Sequence, residues 1–251
     1  MQGLQSKKIA TENVQYCPIC NMPQQGIVNG TITEKNIMTV HEDKWYSFCN
    51  CNNIFFTDWD NMDQTVYDKD YQKKYSNPAG KEIVLKGVSE ILDTIGDIGG
   101  IFAEIGVVTD YILDVAKDRG YTPVAMDINE TTQTKYEFIK LNPDEDDFPK
   151  DISVLWVAHV FEHFKDPIKV ANKMYNALND DGYLYVAMPD PWFIPLQDPH
   201  KWAHWHCHEH HIMWDMDSFI DALEKIGFTN VSAQRITFGA EYRLVFKKVS
   251  A

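Results

Sequence analysis

Residues 102–129 constrain the fold of this chain more than any other stretch, because they carry the pattern of one β-α-β unit. A buried strand at residues 100–105 leads to Gly106, where the backbone must turn sharply. A helix with one apolar face follows and ends at Gly120, and a second strand occupies residues 122–128. The pattern predicts two parallel strands joined by a crossover helix.

An acidic residue, Asp127, closes the second strand of this unit. At the carboxyl end of a strand, a carboxylate can accept hydrogen bonds from both hydroxyls of a ribose. Gly106 ends the neighbouring strand, so both residues should meet at one edge of the sheet. We therefore expect an adenosine-bearing cofactor at this edge.

The composition limits the size and the partners of the protein. A chain of 251 residues with 44% hydrophobic residues can bury one α/β domain and a small accessory unit. The net charge of −14 repels phosphate backbones, so we expect a small-molecule substrate and no nucleic acid. The apolar runs are too short for a bilayer, and residues 1–10 lack a signal-peptide core. We expect a cytoplasmic protein without a membrane partner.

The cysteines predict a separate N-terminal module over residues 1–60. Four of the five form two close pairs, Cys17 with Cys20 and Cys49 with Cys51. Two such pairs supply four thiolates for a tetrahedral, structural Zn²⁺, as in a zinc ribbon. The second pair has one intervening residue instead of the usual two, which leaves His41 as a substitute ligand. Unrelated free thiols in a reducing compartment are the alternative.

The rest of the chain predicts a connector and a larger domain. Residues 61–96 form a tyrosine-rich connector and a helix; the helix has one apolar stripe: Ile83, Val84, Val88, Ile91 and Leu92. Over residues 97–251 strands alternate with helices, of which one ends at Asp181-Gly182, and strands at 231–238 and 242–249, joined by a turn at residues 239–241, close the chain. This order predicts a Rossmann-like, doubly wound, mostly parallel sheet with an antiparallel C-terminal strand pair.

Three segments, at residues 103–127, 158–189 and 208–228, resemble in this order the class I methyltransferases that use S-adenosylmethionine (SAM). They contain a Glu-x-Gly turn, a Glu-His pair followed by Asp-Pro, and a His-Glu-His-His run. The chain also resembles a bacterial subgroup with a cysteine-rich N-terminal module, which includes sugar C-methyltransferases. The resemblance implies methyl transfer to a small polar acceptor, a sugar or nucleotide-linked sugar. It also implies cofactor contacts by Glu104, Gly106, Asp127, Ile128 and His159.

The glycine loop departs from the family pattern. The family reads Glu-x-Gly-x-Gly-x-Gly, whereas this chain continues from Gly106 with Val108 and Asp110. Val108 adds a β-branched side chain where the methionine part of SAM should pass. Asp110 should cap the N–H groups of the following helix near the cofactor's carboxylate, or attract its ammonium group. The alternative function is a catalytically silent binding or scaffold protein that has lost SAM.

The Glu162-His163 pair supplies the candidate chemistry, since it follows the fourth strand of the domain at the cofactor edge. A carboxylate beside an imidazole can set its tautomer and raise its pKa towards that of a working general base. We predict His163 as the base and Glu162 as the group that orients it. Alternatively, Glu162 caps the next helix and His163 packs beneath a lid.

Two further groups are candidate substrate contacts. Six histidines lie within residues 200–211, and we expect an aromatic, histidine-rich lid in which His206 and His210 contact substrate. A second metal site is the alternative, since these two residues would share a helix face. Tyr67, Tyr71 and Tyr75 recur every four residues. They either contact the substrate or form a packed seam between helices.

Overall fold

The structure is a computed structural model of the full chain. It describes residues 19, 26–29, 45–48, 53–56, 81–130, 132–195, 201, 202, 204, 210–237 and 239–249. The strands are, in chain order, β1 Gly26–Asn29, β2 Trp45–Phe48, β3 Ile54–Phe56, β4 Ile101–Ile105, β5 Thr122–Asp127, β6 Glu137–Lys140, β7 Ile152–Ala158, β8 Leu178–Pro189, β9 Ile212–Met213, β10 Phe228–Ile236 and β11 Glu241–Lys248. The α-helices are α1 Lys81–Ile95, α2 Tyr111–Asp118, α3 Pro167–Ala177 and α4 Met216–Ile226.

A seven-stranded sheet forms the centre of the domain, in the order β10-β11-β8-β7-β4-β5-β6. The five strands from β8 to β6 are parallel, whereas β11 pairs antiparallel with both β8 and β10. Strand β7 is buried along most of its length, as expected for a parallel strand covered on both faces. The predicted Rossmann-like sheet with an antiparallel C-terminal pair is therefore confirmed.

Two apolar cores lie on opposite faces of this sheet. Helices α3 and α4 pack in one core through residues such as Met174 and Phe219, and α1 and α2 pack in the other through Leu92 and Leu113. The prediction of one buried stripe on α1 is wrong in its first turn, because Ile83 and Val84 are exposed. The first turn of α1 instead borders an open cleft, which Val84 helps to line.

The boundary between α3 and β8 also differs from the prediction. The sequence predicts that the helix runs to Asp181-Gly182, but it ends at Ala177 and β8 begins at once. Asp181 lies within the strand with a φ of 62°, in the left-handed region. A Cβ on Gly182 would lie 2.9 Å from the Asn179 carbonyl oxygen, so this glycine permits a tight irregularity in the strand rather than ending a helix.

A second sheet joins the N-terminal part of the chain to the large domain. Its order is β1-β2-β3-β9, and β9 comes from the segment just before α4. The Asn53 side chain strengthens this join, since its Oδ1 accepts the Asp215 N–H at 2.8 Å and its Nδ2 donates to Ser218 Oγ at 2.7 Å. The four paired cysteines and His41 lie outside the described residues, so the zinc module stays a prediction, as do the proposed domain boundaries.

Among the described residues, no helix is long and apolar enough to cross a membrane.

Candidate active site

A cleft of about 540 Å³ lies along the carboxyl ends of β4, β5 and β7. One wall, which we call the cofactor wall after the cofactor contacts that the sequence predicts there, contains Glu104, residues 106–109 and Asp127. The facing acceptor wall contains four residues that follow β7 or precede α4: His159, Glu162, His163 and His210. Ile128 also borders the cleft. The structure thus brings all predicted cofactor contacts and the predicted catalytic pair to one cavity.

Gly106 makes the sharp turn that the sequence predicts. Its φ is 79°, and its N–H donates to the Met126 carbonyl oxygen at 2.9 Å. A Cβ at this position would lie 2.7 Å from Cγ2 of Val160, across the cleft floor. Only glycine satisfies both the backbone angle and the close approach.

The two other loop positions have a geometry that does not need glycine. Val108 is not among the non-glycine residues with positive φ, and Asp110 has a φ of −74°. The predicted capping role of Asp110 is wrong, because its side chain makes no cap hydrogen bond to α2. Its oxygens instead accept from Thr134 Oγ1 at 2.6 Å and from the Lys135 N–H at 3.1 Å. Asp110 therefore fastens the segment before β6 to the loop.

Asp127 presents a carboxylate at the end of β5, as predicted. Desolvation raises the pKa of Asp127, and hydrogen bonds from the N–H groups of Asn129, Val107 and Ile128 and from the Thr132 hydroxyl limit the rise. The Asn129 N–H lies 2.8 Å from Oδ1. These donors fix the orientation of the carboxylate beside Gly106.

Glu104 is a buried carboxyl group on the cofactor wall. Burial raises the pKa of Glu104 well above its ordinary value, and the nearby charges of Asp110 and Asp127 raise it further. Its Oε2 has no hydrogen-bond partner among the described residues. A cationic or hydrogen-bond-donating group of a ligand would satisfy this atom, whereas in the free protein it is a cost to folding.

Glu162 and His163 lie on a short 3₁₀ turn, Phe161–His163, directly after β7. The carboxyl group of Glu162 is buried, yet neither of its oxygens has a hydrogen-bond partner among the described residues. Burial alone would raise the pKa of Glu162, but interactions with His159 and His163 outweigh it and lower the pKa. The alternative of a helix cap is wrong, since Asp166 caps α3 by accepting the Lys169 N–H.

His159, the residue directly after β7 in the acceptor wall, has a strained backbone with a φ of 55°. Its Nε2 lies 2.8 Å from Glu241 Oε2, and its Nδ1 lies 3.7 Å from Glu162 Oε1. Desolvation disfavours the charged ring, but the two carboxylates outweigh it and raise the pKa of His159 to about 10. A contact with Glu241 was not predicted, because this residue appears in the sequence only as part of a turn between two strands.

His210 comes from a distant part of the chain and completes the acceptor wall. Its Nε2 lies 3.9 Å from Glu162 Oε1, and its ring centroid lies 5.0 Å from that of His163. One potential ligand atom from each of these three residues lies within 4.8 Å of the others. His204, the other described histidine of the predicted lid that borders the cleft, stacks on His159 at 5.9 Å.

Several predicted site residues lie outside the described part of the chain. They are Cys17, Cys20, Cys49, Cys51, Tyr67, Tyr71, Tyr75 and His206. The roles predicted for the tyrosines, for the cysteines and for His206 stay predictions.

Solved structures with the same fold include three of known chemistry. The N-methyltransferase NodS from Bradyrhizobium japonicum, in complex with S-adenosyl-L-homocysteine, has a TM-score of 0.54 and 11% identity, covering 74% of this chain and 95% of its own. The 1,6-didemethyltoxoflavin-N1-methyltransferase from Burkholderia thailandensis has a TM-score of 0.52 and 13% identity, and the match covers 72% of this chain and 84% of that protein. The [4+2]-cyclase SpnF has a TM-score of 0.53 and 10% identity, and the match covers 68% of this chain and 82% of that protein. At such low identity these likenesses define the fold and not the reaction.

Comparison with protein families gives the assignment. No curated protein matches the chain significantly. A family model described as a methyltransferase domain matches residues 67–233, about two thirds of the chain. This range includes both walls of the cleft. The chain therefore belongs to the methyltransferase-domain family.

Proposed function

We propose that the protein transfers the methyl group of SAM to a small polar acceptor, a sugar or a nucleotide-linked sugar. The observation that carries this proposal is the cleft itself, in which a cofactor wall and an acceptor wall face each other across about 540 Å³. Bound SAM supplies an electrophilic methyl group on a sulfonium centre. Because that group is already activated, the protein mainly has to place an acceptor atom in line with it.

The cofactor wall has groups that fit SAM. The Asp127 carboxylate at the end of β5 can accept hydrogen bonds from ribose hydroxyls, and the Gly106 turn lets a ligand approach the backbone closely. The unsatisfied, buried Oε2 of Glu104 can accept from a cationic or hydroxyl donor of the cofactor. The acidic character of this wall suits a ligand that carries both a sulfonium and an ammonium group.

The acceptor wall supports a polar acceptor. It presents the imidazoles of His163 and His210, and His204, Asn142 and Asp144 line the same cleft. These groups can donate and accept hydrogen bonds, as a polyhydroxylated molecule requires. Lys81 at the cleft border offers a cation to the phosphates of a nucleotide-linked sugar.

The rival function is a catalytically silent binding or scaffold protein with the same fold. Val108 and Asp110 favour it, because they replace two glycines of the family loop. Calorimetric titration of the full chain with SAM and with S-adenosylhomocysteine separates the two functions. Saturable binding that Asp127→Ala weakens supports the methyltransferase. The matched control is Asp118→Ala, on the exposed surface of α2. Absence of binding by the folded chain supports the scaffold.

The acceptor requires a second experiment. Radiolabelled SAM is incubated with the protein and a panel of free sugars, nucleotide-linked sugars and unrelated polar amines. Methylation within the sugar groups supports the proposed substrate class. Methylation of an amine alone would keep the methyltransferase and overturn the class.

We also propose that Cys17, Cys20, Cys49 and Cys51 hold one structural Zn²⁺. Four thiolates in two pairs close a tetrahedral site, and such a metal contributes much of the folding energy of a small module. Elemental analysis in reducing buffer should give one zinc per chain and none in a Cys49→Ser/Cys51→Ser variant. Full zinc content in that variant would contradict the assignment.

A further inference from the structure

Glu162, His163 and His210 bring three potential ligand atoms to one point beside the cofactor cleft. These atoms all lie within 4.8 Å of one another, and the pair Glu162 Oε1 and His210 Nε2 is separated by 3.9 Å. Two ligands bound at about 2.1 Å to one ion can be at most about 4.2 Å apart. Small side-chain rotations are therefore enough to bring all three atoms into coordination distance.

The buried carboxylate of Glu162 is the second observation. It is 2% exposed, and neither oxygen has a hydrogen-bond partner among the described residues. His159 is a cationic neighbour, but its Nδ1 is 3.7 Å away and its Nε2 is held by Glu241. A buried carboxylate without hydrogen bonds is costly unless a cation coordinates it. His159 provides a charge at 3.7 Å but no hydrogen bond, whereas a metal ion between Glu162 and the two imidazoles would coordinate the carboxylate directly.

The three side chains stand on a rigid frame. The His211 N–H donates to the Glu162 carbonyl oxygen at 2.7 Å, which holds the His210 segment against the 3₁₀ turn. Under the turn, the Phe161 ring packs edge-on against Phe164 and Phe219 at about 5 Å. A preformed ligand set of this kind loses little conformational entropy when a metal binds.

We propose that Glu162, His163 and His210 bind one divalent transition-metal ion, with its open coordination positions facing the cleft. Two imidazoles and one carboxylate suit Zn²⁺, Fe²⁺ or Mn²⁺ better than Ca²⁺ or Mg²⁺, which prefer all-oxygen sites. Three protein ligands leave room for acceptor oxygens, as in catalytic rather than structural metal sites.

The use of this ion in catalysis rests on the proposed function. A hydroxyl of the acceptor coordinates the ion, which lowers its pKa and lets its proton leave to water through the open cleft. The oxygen then bonds to the methyl carbon of SAM as the carbon–sulfur bond breaks, and the electron pair stays on sulfur. A neighbouring hydroxyl in a second open position would orient the acceptor. The site thus favours a substrate with two adjacent hydroxyls, methylated on oxygen.

Metal binding is tested without any acceptor. The full chain is freed of exchangeable metal and titrated with MnCl₂, while electron paramagnetic resonance measures free Mn²⁺. Thiolates are poor ligands for Mn²⁺, so the cysteine pairs do not interfere. We expect one tight Mn²⁺ per chain and at least about tenfold weaker binding by Glu162→Gln, His163→Gln and His210→Gln. His204→Gln, which removes a cleft imidazole outside the cluster, should bind like the parent.

His163 is only half-buried, so its variant tests the site even if the two buried positions do not tolerate substitution. No Mn²⁺ binding by the folded parent, or undiminished binding by folded His163→Gln, would overturn the metal site. Transfer to a vicinal diol that stops with EDTA and returns with Mn²⁺ would support the catalytic role. If Mn²⁺ binds at the cluster but SAM does not bind at all, the site stands and the proposed function fails.

Discussion

The two walls of the cleft are built in different ways. The cofactor wall comes from one continuous stretch, since Glu104, Gly106 and Asp127 all belong to the β4-α2-β5 unit. The acceptor wall comes from two distant places, because His159, Glu162 and His163 follow β7 whereas His210 precedes β9, and its His159 is held by Glu241, which begins β11. Each wall nevertheless contains a buried carboxylate oxygen without a hydrogen-bond partner among the described residues.

The difference shows which part of the site depends on distant chain segments. The cofactor wall needs only a strand, a turn and the next strand to form correctly. The acceptor wall also needs β9 to pair with β3 and β11 to lie beside β8. The N-terminal part of the chain thus supports the acceptor wall, and variants should separate loss of cofactor binding from loss of transfer.

The largest effect is expected at His163. His163→Gln removes a base or a metal ligand, so turnover should fall by roughly 100- to 10,000-fold. SAM affinity should change less than about twofold, because the ring belongs to the acceptor wall. Initial rates with the acceptor found in the sugar panel and calorimetry with SAM give the two values, with Asp118→Asn as control. Undiminished turnover in His163→Gln would mean that another group has the catalytic role.

Asp127→Ala should produce the opposite pattern. In the proposed function Asp127 accepts both ribose hydroxyls, so its loss should weaken SAM binding by about 2 kcal/mol, or roughly 30-fold. Calorimetric titration measures this affinity beside that of Asp118→Ala. Equal affinity in the Asp127 variant and the parent would mean that the cofactor lies elsewhere in the cleft.

Asn53→Ala tests the support of the acceptor wall by the N-terminal sheet. The substitution leaves the Asp215 N–H without its 2.8 Å acceptor, so the unfolding free energy should fall by about 1–2 kcal/mol. Denaturant unfolding measures the change against Asn172→Ala, an exposed asparagine that bonds within its own helix. Because the N-terminal sheet supports the acceptor wall, Asn53→Ala should reduce turnover more than SAM affinity. A larger loss of SAM affinity than of turnover would contradict this comparison.

Glu104→Gln should stabilise the folded chain, but it also removes a carboxyl group from the cofactor wall. Because burial raises the pKa of Glu104, the folded chain keeps this proton to higher pH than the unfolded chain does. Stability therefore falls as the pH rises from the ordinary pKa towards the raised one. The melting temperature of ligand-free Glu104→Gln should exceed that of the parent by more at about pH 8 than at about pH 5. If calorimetry finds that the difference in melting temperature stays constant or shrinks as the pH rises, then burial does not raise the pKa of Glu104.

The smallest effect is expected at Val108. Since this position does not use a positive φ, Val108→Gly should mainly increase the freedom of the unfolded chain and cost about 0.5–1 kcal/mol of stability. SAM affinity should stay within about threefold of the parent by calorimetric titration. Binding more than about tenfold tighter would show that the valine crowds the cofactor.

Particular residues show how far prediction from the sequence reaches. The β-α-β unit, Gly106, Asp127 and the Glu162-His163 pair were each predicted at the edge where the structure has them, because each depends on a strand and the turn next to it. Asp110 was misassigned, since its partners Thr134 and Lys135 come from another loop. The early end of α3 was missed because a strand irregularity at Asp181 and Gly182 has the same residue pattern as a helix stop.

The sequence by itself determined the β4-α2-β5 unit, the antiparallel C-terminal strand pair and the resemblance to methyltransferases, since local periodicity and turn residues encode these features. Only the tertiary structure decided that Glu241 contacts His159 and that His210 lies beside Glu162. Both contacts depend on which strands become neighbours in a sheet, and strand order results from the packing of the whole chain. No local pattern carries that information, so the chemistry of the acceptor wall emerges only after folding.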